Sequence, residues 1–367
     1  MSIDPAPAFA LMWAGFAAWL GALAAAPRLG AGPVRAAIAL GAAAFAAAPV
    51  ILSHDVYSYV AYARLGVLHG LDPYAHPPLA APTDPVFAQV MWTDATSAYG
   101  PLFTLATYPL AWVSVPTAVA ALKVAAALSL AGIAALTARL AARRGIDPLR
   151  AAVFVGLNPL ALVHVVGGAH NDGLAMLLAV AAVAALSAGL AASAGAALAA
   201  AVLTKLSTAF LVPFALLAAG RRPGGAVRLA AGAALAAGVV AAAAWPAFGA
   251  DWLSGLGLAG ENQSRTSHMA VPIAVARLTG LDAGPVRAAA AALYAALVAF
   301  LLLRTLRGGD WVRAAGWAAA GLLLATSWLL PWYLIWALPL AAVSRDRLLQ
   351  ALLVALTAYQ LGARIPL

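Results

Sequence analysis

Apolar runs recur along the chain, near 8–26, 34–52, 116–141, 149–167, 173–190, 193–206, 208–220, 226–246, 285–306, 312–330, 332–343 and 347–363. Several fall short of the ~20 residues that cross a bilayer alone. The pairs 193–206/208–220 and 312–330/332–343 therefore read as broken or tilted helices, and Asn158-Pro159 breaks a third run near its middle. The pattern predicts an all-α polytopic membrane protein of about 12 transmembrane helices, in a single domain over 1–367. Two polar stretches interrupt it, at 53–115 and 247–283. Within the first, Val56–Gly70 carries Tyr57, Tyr59, Tyr62 and Arg64, and Pro101–Val115 carries Tyr108, Pro109 and Trp112. Both read as juxtamembrane helices lying in the interface rather than crossing it.

Composition agrees with that pattern. Only 9% of residues are charged and 65% are hydrophobic, against about 25% charged in a soluble domain. The chain has no cysteine, which excludes disulfides and thiolate chemistry. Met1-Ser2-Ile3-Asp4-Pro5 lacks a basic stretch, so no cleaved leader is expected. The net charge of +9 resolves once 53–100 is placed outside. Fourteen arginines, among them Arg28, Arg144, Arg221, Arg307 and Arg345, then fall at inner helix ends with three acids, a net of +11. Six basic residues, Arg364 among them, and nine acids lie outside, a net of −3, with Lys123 inside a span. The basic balance is a topology signal for a multi-pass protein of the inner (plasma) membrane, not a sign of a nucleic-acid partner.

The polar residues that remain cluster on the outer side. Ser53-His54-Asp55-Val56-Tyr57 places an aspartate where a span ends and a helix begins. Asp55 has two readings, an N-cap accepting from Tyr57 or Ser58 N–H and a general base for an acceptor hydroxyl. Asp172, in His164…Gly168-Ala169-His170-Asn171-Asp172-Gly173, has the same two sides: a cap, or part of a polar turn that contacts sugar. Lys205, in Leu203-Thr204-Lys205, either snorkels to the interface or pairs with a lipid-linked phosphate, with Lys123 a weaker candidate. Glu261-Asn262-Gln263-Ser264-Arg265-Thr266-Ser267-His268 reads as a solvated loop or, through Arg265 and His268, as a phosphate contact. Ser327-Trp328-Leu329-Leu330-Pro331-Trp332-Tyr333 reads as an aromatic belt or a stacking surface for sugar or prenyl chain. His54, His69, His76 and Asp72 match no closed zinc spacing, and no Gly-rich phosphate loop is present.

These motifs, with Leu71-Asp72-Pro73-Tyr74, Tyr99-Gly100-Pro101-Leu102 and Asn158-Pro159-Leu160, are similar in order and spacing to the GT-C superfamily of integral membrane glycosyltransferases. Over roughly 45–345 the chain resembles most closely the polyprenol-phosphate-mannose-dependent α-1,6-mannosyltransferase group. The resemblance implies a GT-C-like bundle with juxtamembrane helices in the first large outer loop. It also implies a lipid-phosphate sugar donor and an extracytoplasmic site. It maps the catalytic base onto Asp55, a second acidic position onto Asp172, and the lysine of a returning helix pair onto Lys205.

The expected activity is therefore glycosyl transfer with inversion. A sugar, mannose by resemblance, passes from a polyprenyl-phosphate donor to an envelope glycolipid or polysaccharide. Asp55 acts as base, and His54, Tyr57, His170, Asn171, Asp172, Lys205, Glu261, Arg265 and His268 bind substrate. No cofactor is expected, because the donor carries its own leaving group; a divalent metal would help but is not required. The competing reading is a transporter or flippase of a lipid-linked sugar. Transporters place binding groups near the midplane and often repeat their halves. Here the polar groups lie at one face and no repeat is visible, which favours an enzyme.

Overall fold

The structure is a computed structural model that describes residues 5–50, 52–261 and 264–363. Asn262, Gln263 and Arg364 lie outside the described residues. Every element among them is helical. In chain order these are α1 (Pro5–Ala25), α2 (Ala31–Ala47), α3 (Asp55–Leu68), α4 (Pro101–Thr107), α5 (Val115–Arg143), α6 (Pro148–Gly156), α7 (Asp172–Ser187) and α8 (Ala191–Thr204). They continue as α9 (Val212–Gly220), α10 (Gly225–Phe248), α11 (Ser254–Glu261), α12 (Val271–Thr279), α13 (Ala283–Leu306), α14 (Trp311–Ala325), α15 (Leu338–Ala342) and α16 (Arg347–Ala363).

Four helical segments are long and apolar enough to cross a membrane: Ala10–Arg28, Val115–Arg143, Gly225–Phe248 and Ala283–Leu306. The other expected spans are shorter or broken helices. α13 and α10 turn apolar side chains outward, with Leu293 and Leu235 each 72% exposed. Such large bare apolar faces fit lipid rather than water. The expected breaks have identifiable causes. Asn158 ends α6, accepts from the Leu160 and Ala161 N–H groups and donates to Thr357 of α16 at 3.2 Å. A wide helical turn, Ala161–Val166, follows. Beyond α14 the chain unwinds through 326–330 into a tight turn of helix at Pro331–Trp336.

Residues 53–115 form a layer over one end of the bundle. α3 and the α4 segment are both helical, as the sequence predicts, and α4 runs on as a tight turn to Trp112. Asp84 is the hub of the intervening loop. Its carboxylate accepts from Arg64 Nε at 2.8 Å, lies 2.8 Å from His69 Nε2 and accepts from the Val86 N–H. Burial alone would push the Asp84 carboxyl up, but Arg64 and His69 outweigh it and hold it below the ordinary range. Gly100 has a different role. A methyl group there would run into the carbonyl of Leu203, and the Gly100 N–H donates to Thr204 O at 3.1 Å. Two motifs far apart in sequence, Tyr99-Gly100-Pro101 and Leu203-Thr204-Lys205, thus meet backbone to backbone. The second polar stretch, read from sequence as a loop, contains α11 and α12.

Arg144, Arg221 and Arg345 gather at the opposite end. Arg144 pairs with Asp310 and donates to Val343 O, Arg345 donates to Arg144 O, and Arg221 donates to Gly309 O at 2.7 Å. These contacts bring the ends of α5, α9, α13 and α15 together with the start of α14. Lys123 belongs to neither group. Its ammonium donates to the carbonyls of Ala48 and Pro49, the free C-terminal end of α2. It serves there as a helix cap rather than as a substrate contact.

Candidate active site

Asp55 is the first residue of α3, and its side chain makes no capping bond. The Tyr57 N–H goes to the His54 carbonyl instead. The Asp55 carboxylate points elsewhere: Oδ1 accepts from Trp92 Nε1 at 3.1 Å and Oδ2 faces His170 Nε2 at 3.5 Å. Its side chain is 18% exposed. Burial by itself would raise the Asp55 carboxyl. His170, the Trp92 N–H and the charge of Lys205 together reverse this, holding it below the ordinary aspartate value. Its place in the first turn of α3 also favours the ionised form. A carboxylate so held is ionised at neutral pH.

His170 is buried and oriented on three sides. Its Nδ1 lies 2.7 Å from the His164 carbonyl. A carbonyl only accepts, so Nδ1 carries the donated proton. Nε2 faces Ser53 Oγ at 3.1 Å and Asp55, and it supports the Asp55 carboxylate when it carries a proton as well as Nδ1. The ring stacks on Trp332 at 3.7 Å and 21°. Gly168 allows this approach, since a Cβ there would press on both the His170 ring and the His164 carbonyl. Leu52 and Ala169, which immediately precede Ser53 and His170, both take positive φ, 69° and 53°. Non-glycine residues held in that region mark strain, which persists where surrounding contacts over-determine it.

Behind His170 lies a second charged group. Asp172 is fully buried; its Oδ2 accepts from Lys205 Nζ at 2.6 Å and its Oδ1 from Trp336 Nε1 at 2.7 Å. Lys205 also donates to Asn171 Oδ1 at 3.2 Å and sits 5.6 Å from the centre of the Tyr333 ring. Its third N–H meets no oxygen among the described residues. Tyr333 stacks on Trp336 at 4.1 Å, which fixes the aromatic wall. The Asn171 N–H reaches Tyr59 Oη at 3.5 Å, and Tyr59 packs edge-on against Tyr99 and Phe103. The site therefore joins α3, the 169–172 turn, the end of α8 and the 331–336 turn.

The capping reading of both aspartates is overturned, since neither caps a helix. Asp55, His170, Asn171, Asp172 and Lys205 are brought together. His170, Asn171 and Asp172 are buried, with their polar atoms directed mainly at one another and at Ser53, Lys205 and Trp336. Asn171 Nδ2 alone among these has no partner among the described residues. His54 is exposed and lies edge-on to Tyr57 at the mouth, 5.6 Å between rings. Arg265 lies over the Trp92 ring at 4.9 Å, so the second polar stretch touches the residue that holds Asp55. Glu261 and His268 are exposed, and neither side chain has a polar partner among the described residues. His69 is taken by Asp84, and His76 Nδ1 lies beside the backbone oxygen of Asp72. No three His, Asp or Glu side chains among the described residues are placed to hold a metal ion.

Sequence reasoning missed Trp92 and Trp336. Trp92 stands in a polar loop two residues from Asp94, away from any interface run. Trp336 follows Trp332 by four residues after a proline, a spacing that repeats along one helical face.

Comparison with known proteins points to one family. A family described as "Alpha-(1->6)-mannopyranosyltransferase, N-terminal domain" matches residues 5–221, more than half the chain. The chain is similar to an alpha-(1->6)-mannopyranosyltransferase A of Mycobacterium tuberculosis, 32% identical over 170 residues, covering 45% of this chain and 32% of the relative. It is 29% identical over 350 residues to a probable alpha-(1->6)-mannopyranosyltransferase of Mycolicibacterium smegmatis, covering 80% of this chain and 62% of that one. A Corynebacterium glutamicum alpha-(1->6)-mannopyranosyltransferase A is 30% identical over 174 residues, 46% and 35% of the two chains. The chain thus spans between 32% and 62% of the length of these relatives. No solved structure matches.

Proposed function

The chain belongs to the alpha-(1->6)-mannopyranosyltransferase family, a GT-C group, and on that premise we propose that it transfers mannose from a polyprenyl-phosphate donor to an envelope glycan. The observation that carries the reading is Asp55, a partly exposed carboxylate held by Trp92 and His170 instead of capping its helix. The bundle crosses the membrane about twelve times, with the arginine-rich end inside by the positive-inside rule. The Asp55 end then faces the extracytoplasmic side, away from cytosolic nucleotide sugars.

Asp55 takes the proton of the acceptor hydroxyl as its oxygen attacks the anomeric carbon. The acceptor O–C1 bond forms on one face while the C1–O bond to phosphate breaks on the other, inverting the centre. The polyprenyl phosphate leaves with the bonding electron pair. The free N–H of Lys205 points at its developing charge, a pre-placed cation of the kind that stabilises phosphoryl oxygens. Arg265 closes over the donor from the second polar stretch. His170 keeps Asp55 ionised and aimed, and Asp172 keeps Lys205 in place, so these two buried residues act through their neighbours. An apolar cavity of about 450 Å³ opens among α8, α9 and α10 beside Leu203. It lies two residues from Lys205 and suits the prenyl chain of a donor whose phosphate sits there.

Purified protein given polyprenyl-phosphate-mannose and a mannan oligosaccharide should extend the oligosaccharide by one hexose, read by mass spectrometry. Movement of the lipid-linked sugar across vesicles without a new glycosidic bond would replace this reading with the flippase. Extension with a nucleotide sugar alone would overturn the donor.

Trp92→Phe tests the base directly. The Trp92 N–H favours the ionised form of Asp55, so its loss raises the Asp55 pKa. The acidic limb of the pH profile of kcat/KM should move to higher pH, with the plateau near neutral pH little changed. A limb that stays in place would separate Trp92 from the group that titrates.

A further inference from the structure

We infer that the arginine-lined hollow at the basic end of the bundle binds the phosphate headgroup of an anionic phospholipid. The hollow has a volume of about 320 Å³ and lies between the α5–α6 turn, α6 and the α15–α16 turn. Arg150, Arg345 and Arg347 line it with a single aspartate, Asp147. A neighbouring hollow of about 410 Å³ shares Arg345.

The three arginines lack carboxylate partners because the acids nearby are engaged elsewhere. Asp346, between Arg345 and Arg347, turns inward, is 6% exposed, and takes Arg313, Trp317 and the Leu349 N–H. Asp310 pairs with Arg144 and caps α14 through the N–H groups of Val312 and Arg313. Asp147 caps α6 through the Arg150 N–H. Among the described residues no salt bridge reaches Arg150, Arg345 or Arg347. Arg345 is nonetheless held in place, since its Nη2 donates to the carbonyls of Arg144 at 2.8 Å and Gly145 at 3.4 Å. Its other N–H groups remain for a phosphate, which guanidinium binds bidentately.

Two features favour a lipid over a soluble anion. The rest of the lining is apolar in part, from Ile146, Ala151, Phe154 and Ala342, a surface that an acyl chain covers and a free phosphate does not. The hollow also sits at the arginine-rich end, where basic pockets between membrane helices meet anionic headgroups. The inference rests on that placement and not on the sugar-transfer reaction.

The test is native mass spectrometry of the purified protein in detergent with added phosphatidylglycerol, cardiolipin or phosphatidylcholine. The wild type should retain the anionic lipids in preference to phosphatidylcholine. The triple variant Arg150→Gln/Arg345→Gln/Arg347→Gln should retain them ~10²-fold less well, at the usual contribution of each basic residue near a membrane surface. Arg228→Gln, at an exposed arginine elsewhere on the same end, should match the wild type. If the triple variant does not fold, Arg347→Gln alone should lose ~5-fold. Anionic-lipid retention unchanged in the variants overturns the site. Displacement of the lipid by an equal concentration of inorganic pyrophosphate overturns the lipid as its occupant.

Discussion

Replacing Asp55 by Asn lowers the rate of sugar transfer by at least ~10²-fold, the usual scale for loss of a general base, and leaves the protein folded. Asparagine has the same shape, so its amide oxygen still accepts the Trp92 N–H. What it cannot do is take a proton from the acceptor hydroxyl. The loss should fall on kcat with KM nearly unchanged, because the missing interaction exists only in the transition state. Asp55→Ala should lose activity to the same degree but also melt earlier, since the Trp92 N–H then loses its acceptor, while His170 keeps Ser53 and the His164 carbonyl. Initial rates with the polyprenyl-phosphate donor, alongside thermal melts in detergent, separate the two effects. An Asp55→Asn protein within tenfold of the wild-type rate would remove Asp55 from the chemistry.

The aspartates mark the limit of what local sequence decides. Asp55, Asp147, Asp172 and Asp310 all stand at the start of a helix, and for Asp55 and Asp172 the sequence leaves a cap and a site residue both open. Asp147 and Asp310 do cap, one residue before the helix, each accepting a backbone N–H two or three residues on. Asp55 and Asp172 sit one residue further in, at the first helical position. That shift turns the carboxylate away from the free N–H groups and toward tertiary partners. A one-residue difference in helix start is finer than sequence patterning resolves. The deciding partners, Trp92 and Trp336, lie 37 and 164 residues away, with no local signature linking them. The two ends of the bundle were legible for the opposite reason. Arginine placement is a sum over many helix ends, so errors at single boundaries cancel. Asn158-Pro159 was legible too, because proline breaks a helix whatever packs around it. The helices α11 and α12 escaped notice because both are short, and Gly255, Gly257 and Gly260 crowd the first of them with residues that disfavour a helix.

Lys205 and Asp172 should separate folding from function when changed singly and together. Asp172 is fully buried, while the Lys205 side chain is 17% exposed. Lys205→Met therefore strands a buried carboxylate and should cost ~3–5 kcal/mol of stability, the range for breaking a buried pair. Asp172→Asn should cost less. Its amide oxygen still accepts from Trp336, and the lysine can reach toward water. The double variant removes both charges, so its melting temperature should lie well above that of Lys205→Met, a positive coupling between neighbours. Activity should not follow stability. With no ammonium facing the leaving phosphate, the double variant should stay ~10²–10³-fold down in kcat, the scale for loss of one preorganised electrostatic contact. Melts and rates of all three variants make the measurement. A double variant no more stable than Lys205→Met would mean the two charges are not coupled. One that regained wild-type turnover would leave Lys205 a purely structural partner of Asp172, and the donor phosphate would need another cation, a role open to Arg265 over the Trp92 ring.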